Sequence, residues 1–248
     1  MPTTTTSSRP LLPVFVLLAL APLHAEDPKP PTPPLPGHSM HGEAFDDGPR
    51  QAAYIMGNTG NVHLDITTKV PEAQRFFDQG LGQLHGFWYY ESERSFRQVA
   101  KLDPDCAMAY WGLAMANINN EKRAKGLIKT ANEKKSTASP REQAWISALF
   151  DFYSGEDNLD ARRKYLRAIE TLVQEQPNDP EAKAFLVFQI WKNSYWEHNG
   201  KKELPLSSHQ AVDALLDQIF QLNPMHPAHH YRIHLWDNEK PARAVVSA

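Results

Sequence analysis

Four residues that match the key positions of a 34-residue helical repeat limit what this chain can fold into more than any other feature of its sequence. If residue 73 is the first position of a 34-residue unit, positions 8, 20, 24 and 32 are Gly80, Ser92, Phe96 and Pro104. Small residues allow two helices to cross closely, an aromatic ring fills the seam between them, and a proline marks the turn into the next unit. The spacing therefore predicts stacked pairs of helices.

Signals for helix starts recur along the rest of the chain. The Asp-Pro pairs at 103–104 and 179–180 each place an N-cap residue before a proline at the first helical position. The segments 139–142 and 207–210 have the spacing of capping boxes. Apolar residues recur with a helical period, and only 61–68 alternates in a way that allows a strand, so about nine helices are predicted. A generic helical bundle is the alternative to stacked repeats.

The stretch 73–117 resembles a known protein family. Its signature runs from "FDQG" through "LHGFWY" to "DPDCAMAYWG", and "HHYRIHLWD" is similar to a later element of the same family. These motifs resemble those of exported bacterial tetratricopeptide-repeat (TPR) proteins, and the resemblance covers about residues 42–237. It implies an all-α, TPR-like solenoid of stacked antiparallel helix pairs. Because family members continue with further repeats, it also implies a domain that is incomplete at its C-terminus.

The N-terminal segment is predicted to direct export. Arg9, an apolar run at 11–21 and the small residue Ala25 form the layout of a secretory signal peptide, whose apolar run is too short to cross a bilayer easily. An uncleaved anchor is the alternative. The proline-rich segment that follows cannot build a packed core and is expected to be an extended tether. The predicted organisation is a signal peptide at 1–25, a tether at 26–50, an extended lead-in at 51–70 and a TPR-like helical domain at 71–248.

Charge and cysteine content narrow the class of protein further. Loss of Arg9 with the signal leaves 25 of the 26 basic residues against 29 acidic ones, a net charge of −4. Nucleic-acid binding requires a basic surface and is therefore not expected. The single cysteine, Cys106, allows no internal disulfide and is predicted to be a small buried residue. We expect a periplasmic or extracellular protein that is not inserted in a membrane after signal cleavage.

Four of the eleven histidines lie within "NPMHPAHHYRIH" at 223–234. Pro227 is expected at the first helical position, so His230 and His234 share one helical face, from which two imidazoles can bind one zinc or copper ion. The stretch lacks the glutamate of HExxH, which excludes that class of zinc protease. The alternative is that these histidines only hydrogen-bond to backbone and carboxylate groups. Candidates for a third metal ligand are His226, His85, Glu197, His198 and Asp237.

A second possible metal site lies in the tether. His38, Met40 and His41 occur within four residues, and imidazole with thioether suits Cu(I). Chance occurrence in a tether is the alternative explanation.

Aromatic residues suggest a surface for a partner. Phe87, Trp88, Tyr110 and Trp111 are expected to fill the core between helices, whereas other aromatic residues can anchor a bound peptide. These candidate anchors are Tyr89, Tyr90 and Trp236.

Two hypotheses about function follow. The first is an exported TPR-type scaffold that binds a protein or peptide in its concave groove. The second is a metal-binding protein or metalloenzyme that uses His230 and His234 with His85 or His226. The sequence contains no nucleophile elbow, phosphate loop or convincing acid–base pair, so it predicts no catalytic residue.

Overall fold

The computed structural model describes residues 52–197, 206–237 and 240–248, without the side chains of 195–197 and 206–208. The predicted signal peptide and tether, with His38, Met40 and His41, lie outside the described residues, as does His198.

The described part of the chain is all-helical, which confirms the predicted structural class. The helices are α1 (Pro71–His85), α2 (Tyr89–Leu102), α3 (Ala107–Ala116), α4 (Glu121–Lys134), α5 (Pro140–Ser154), α6 (Leu159–Glu175), α7 (Pro180–Glu197), α8 (Leu206–Leu222), α9 (His229–Trp236) and α10 (Pro241–Ala244). Two short 3-10 helices, Lys135–Thr137 and Val245–Ser247, complete the set. No strand occurs within these ranges, and 61–68 is part of an extended lead-in. None of the described helices is long and apolar enough to cross a membrane.

Helices that follow one another in the chain pack against one another. Each helix from α1 to α9 contacts the next helix in the chain. In addition, α1 contacts α3, and α3 contacts α5. Neighbour packing with contacts between alternate helices is the arrangement expected of helical repeats.

Three of the four predicted repeat positions meet in one contact. A Cβ atom added to Gly80 would lie 2.7 Å from the ring of Phe96, so only glycine allows α1 to approach α2 this closely. The Ser92 hydroxyl donates a hydrogen bond of 2.8 Å to the Gly80 carbonyl oxygen. Phe96 is completely buried. The fourth position, Pro104, lies in the turn between α2 and α3.

Two predicted helix starts are confirmed. Ser139 and Glu142 form a full capping box at the start of α5, since each side chain bonds to the backbone of the other. Pro180 is the first residue of α7, and the preceding Asp179 accepts a hydrogen bond from the backbone N–H of Glu181.

Three other predicted starts are wrong. Asp103 is the C-cap of α2, its carboxylate accepts a hydrogen bond from the Thr68 hydroxyl, and α3 begins only at Ala107. Helix α8 already begins at Leu206, so 207 is not its N-cap. Helix α9 begins at His229, after turns that include Pro227.

Helix α7 joins the two clusters of the hydrophobic core. Phe185 belongs to the larger cluster, where its ring centroid lies 5.4 Å from that of Trp111 and 5.5 Å from that of Trp145. Phe188, on the same helix, belongs to the smaller cluster formed with α8, α9 and α10. Residues near the start of α7 therefore lie between the first helices and the last ones.

The lead-in is held against the helices by side chains. The Gln79 amide bonds to the backbone of Tyr54 and Met56, and the Thr67 backbone N–H donates to the carboxylate of Glu142 at 2.6 Å. A Cβ atom at Gly82 would lie 2.2 Å from a carbonyl oxygen of the lead-in, so glycine is required there.

Candidate functional site

Helix α9 brings His230 and His234 together, as their spacing predicts. Their Nε2 atoms are 2.9 Å apart and their ring centroids 4.6 Å apart. His230 is half-buried, whereas 41% of the His234 side chain is exposed. The pair is therefore accessible from solvent.

The second nitrogen of each ring faces a hydrogen-bond acceptor. Nδ1 of His230 lies 3.0 Å from the carbonyl oxygen of His85, and Nδ1 of His234 lies 3.1 Å from Oδ2 of Asp237. A carbonyl oxygen and an ionised carboxylate can only accept, so both Nδ1 atoms carry protons. In neutral rings, both Nε2 atoms then present lone pairs.

These lone pairs point at each other over a short distance. Two neutral imidazoles in this arrangement repel one another, unless a proton or a metal ion lies between the nitrogens. Histidines that bind metal ions usually donate their other N–H to a carboxylate or a backbone carbonyl. His230 and His234 show both kinds of support.

Phe87 forms a wall beside the pair, which sequence reasoning did not predict. Its ring centroid lies 4.6 Å from that of His230 and 5.8 Å from that of His234. Its φ of 59° is in the left-handed region, which is uncommon for a bulky residue and costs free energy. No residue pattern marks this conformation in advance. Trp88, also predicted to be in the core, is 58% exposed.

His85 and His226, two of the predicted third ligands, do not join the pair. Both side chains are completely buried and bind Glu181 instead. Nε2 of His85 lies 2.8 Å from Oε2 of Glu181, and Nε2 of His226 lies 2.8 Å from Oε1. The prediction that His85 or His226 completes the site as its third ligand is thus wrong, because the imidazoles separate into an exposed pair and a buried cluster. Only the backbone carbonyl of His85 reaches the pair.

The buried cluster has a defined pattern of protons. The backbone N–H of Ala228 donates to Nδ1 of His226 at 3.0 Å, so the proton of this ring is on Nε2 and points at Glu181. Burial lowers the pKa of His85, which keeps its ring neutral. The Tyr231 hydroxyl, 2.7 Å away, then donates to Nδ1 of His85.

Glu181 is the anion at the centre of this cluster. Burial disfavours its charged form, but hydrogen bonds from His226 and His85 outweigh burial and lower the pKa of Glu181 to about 2. Its position in the first turn of α7 also favours a negative charge.

The cluster contains ligand types that suit a metal ion. Among the described residues, His85, Glu181 and His226 are the only three histidine, cysteine or acidic side chains whose ligand atoms lie this close together. Two histidines and a glutamate also form known zinc sites. However, the Nε2 proton of His226 occupies the position that a metal would need, and none of the three side chains is exposed. The cluster therefore acts as a hydrogen-bond connection between α1, α7 and the start of α9.

The predicted partner-binding residues differ in exposure. Tyr90 is 37% exposed, and Arg94 lies over its ring. Tyr89 stacks on Phe87 instead, and burial raises the pKa of Tyr89 to about 12. Trp236 is only 1% exposed and donates to Asp213, so its predicted role as a partner anchor is wrong.

Cys106 is buried, as predicted. Burial raises the pKa of its thiol to about 11, so it is not a reactive nucleophile at neutral pH.

An open groove of about 620 Å³ lies next to His230. It runs between the lead-in and the turn before α9. Its walls include three exposed apolar side chains, Trp88, Met225 and Val246, which are 58%, 71% and 77% exposed. Sequence reasoning placed Trp88 in the core and did not single out Met225.

Comparison of the chain with protein-family models, with curated proteins and with solved structures gave no significant match.

Proposed function

We propose that this protein binds a divalent transition-metal ion, Cu²⁺ or Zn²⁺, through Nε2 of His230 and His234. The observation that carries the proposal is the pair of Nε2 atoms at 2.9 Å, each on a ring whose Nδ1 is already engaged by an acceptor. The metal ion replaces the repulsion between two lone pairs by two coordinate bonds.

The distance between the nitrogens favours Cu²⁺. With metal–nitrogen bonds of about 2.0–2.1 Å, two ligands at a right angle lie about 2.9 Å apart, and two at a tetrahedral angle about 3.4 Å apart. The first geometry is that of tetragonal Cu²⁺, which also forms the most stable complexes of the divalent first-row series. Zn²⁺ requires the rings to separate slightly. Water or a bound molecule completes the coordination.

Metal titration of the purified protein tests this function. We expect one equivalent of Cu²⁺ to bind, as measured by calorimetry and elemental analysis, and both His230→Ala and His234→Ala to abolish this binding. All variants should carry His38→Ala, Met40→Leu and His41→Ala, because the tether itself has ligands suited to copper.

His63→Ala is the matched control. His63 is an exposed histidine that already binds Asp65 and Asp78 and lies outside the pair. Its removal should leave the stoichiometry unchanged. Substoichiometric metal in the tether-substituted protein, or equal binding by His230→Ala, would contradict the proposal.

We further propose that this protein is exported and has a fold of the TPR type. The interlocking contact of Gly80, Ser92 and Phe96 supports a tetratricopeptide-like solenoid, because these residues occupy the repeat positions at which two helices cross. The N-terminal signal pattern supports export to the periplasm or the extracellular space. Mass spectrometry of the secreted protein should find a chain that begins after Ala25.

A second candidate function is peptide binding in the groove beside His230. It is favoured by the exposed side chains of Trp88 and Met225, since aromatic residues and methionine are enriched at protein interfaces. Peptides selected from a displayed library against the protein should lose at least tenfold in affinity for Trp88→Ala. They should bind Leu222→Ala, an exposed apolar residue outside the groove, as before. Equal affinity for both variants excludes this function.

A further inference from the structure

A second cavity lies among α3, α4, α5, α6 and α7. Its volume is about 140 Å³, which corresponds to about five water molecules at about 30 Å³ each. About half of its wall is apolar, through residues such as Leu149, Phe152, Tyr165 and Phe188, and the other half is polar. The space is suited to a small molecule with an apolar body.

Four charged residues line this cavity, and three of them have partners. Arg162 pairs with Asp157 at 2.5 Å, and Glu121 pairs with Lys125, outside the cavity, at 2.7 Å. The fourth, Lys192, has no carboxylate within ion-pair distance anywhere in the described ranges; its ammonium lies 5.8 Å from the centre of the Phe188 ring. One positive charge is thus left without a counterion.

An unpaired charge of this kind is costly where it is largely removed from water. Burial, and then the nearby Arg162, lower the pKa of Lys192 to about 8, while Asp157 acts in the opposite direction. At pH 7 the side chain still carries its proton. Tyr153 is another lining residue, and its side chain carries a hydroxyl group that can donate a hydrogen bond.

We propose that this cavity binds a small apolar monocarboxylate, whose carboxylate pairs with Lys192 and whose body packs against the aromatic walls. A single uncompensated ammonium matches one negative charge. A strongly hydrated dianion such as phosphate is not expected, because it would need a second unpaired cation. The site is separate from the proposed metal-binding pair.

Calorimetric titration with benzoate tests the proposal on the full-length protein. We expect saturable binding to one site, and at least tenfold weaker binding of benzyl alcohol, which has a similar shape without the charge. Lys192→Met keeps the length of the side chain and should also weaken benzoate binding at least tenfold. Lys129→Met removes the same charge from an exposed position on α4 and should have no effect.

Two further measurements separate loss of the site from loss of the fold. Since Lys192→Met removes an unpaired, largely buried charge, we expect its melting temperature to equal or exceed that of the unchanged protein. Benzoate affinity should fall as the pH rises through about 8, where Lys192 loses its proton, and should not do so in Lys192→Met. Absence of benzoate binding, or equal binding by Lys192→Met or of benzyl alcohol, overturns the proposal.

Discussion

Asp237 orients the more exposed histidine of the proposed metal site. Its carboxylate accepts from Nδ1 of His234 at 3.1 Å, which fixes the ring and directs the Nε2 lone pair at His230. Because such supporting carboxylates typically contribute tenfold to a hundredfold to metal affinity, we expect Asp237→Ala to weaken Cu²⁺ binding by about that factor. The measurement is a Cu²⁺ titration of the tether-substituted protein.

Asp65→Ala serves as its control, since Asp65 also binds a histidine, His63, but one outside the pair. Unchanged Cu²⁺ affinity in Asp237→Ala would mean that the carboxylate does not support a metal ligand.

Glu181 accepts hydrogen bonds from two buried imidazoles, and its replacement tests the connection between them. Glu181→Gln keeps the shape but turns an amide N–H₂ toward one of the histidine N–H groups, which leaves a buried donor unsatisfied. We expect the free energy of unfolding to fall by about 2–4 kcal/mol, as measured by urea denaturation. Glu175→Gln, at an exposed position on α6, should change it by less than about 0.5 kcal/mol.

At the residue scale, sequence reasoning found the pair but not its surroundings. The i, i+4 spacing placed His230 and His234 on one face because that relation is local. His85 and His226 both bind the carboxylate of Glu181, which lies 96 and 45 residues away from them in the sequence. No local pattern encodes such a contact. The signal that was available, an acidic residue in the first turn after Asp-Pro, indicates a helix start rather than a buried anion.

Crossing of α1 and α2 depends on the absence of a side chain at Gly80. In Gly80→Ala the new Cβ would lie 2.7 Å from the buried Phe96 ring, and the two helices would have to separate. We expect a loss of about 1–3 kcal/mol in the free energy of unfolding.

Gly126→Ala is the matched control for this element. Gly126 lies inside α4 with nothing within 4 Å of the added Cβ, so alanine should stabilise the protein by about 0.5–1 kcal/mol. Equal effects of the two substitutions in urea denaturation would contradict a close helix crossing at Gly80.

Helix existence was easier to predict than helix starts. Capping at 139–142 was found because both partners of the box are close in sequence. Asp103 was misassigned because its carboxylate binds Thr68 of the lead-in, 35 residues earlier, which a local rule cannot anticipate.

For the whole molecule, the buried cluster predicts a loss of stability in acid. The pKa of His85 is below its ordinary value of 6.5 in the folded protein, so the unfolded chain binds an additional proton and stability falls as the pH drops through 6.5. Glu181, with a pKa of about 2 against an ordinary 4.5, removes further stability between these values. Urea denaturation from pH 7 to pH 3 should show both losses.

Glu181→Gln should lose the part of this dependence that lies below pH 4.5, because glutamine does not titrate there. A free energy of unfolding that stays constant from pH 7 to pH 3 would contradict this account of the cluster.

His85 takes part in both groups of histidines, since its imidazole binds Glu181 while its carbonyl oxygen accepts from His230. This carbonyl belongs to His85, the last residue of α1, whereas the proposed metal ligands are on α9. Opening of α1 therefore removes the acceptor that holds His230 in its metal-binding tautomer, and by linkage a bound ion resists that opening. Protection of the α1 amides against hydrogen exchange thus becomes a measure of metal occupancy at a site 145 residues further along the chain.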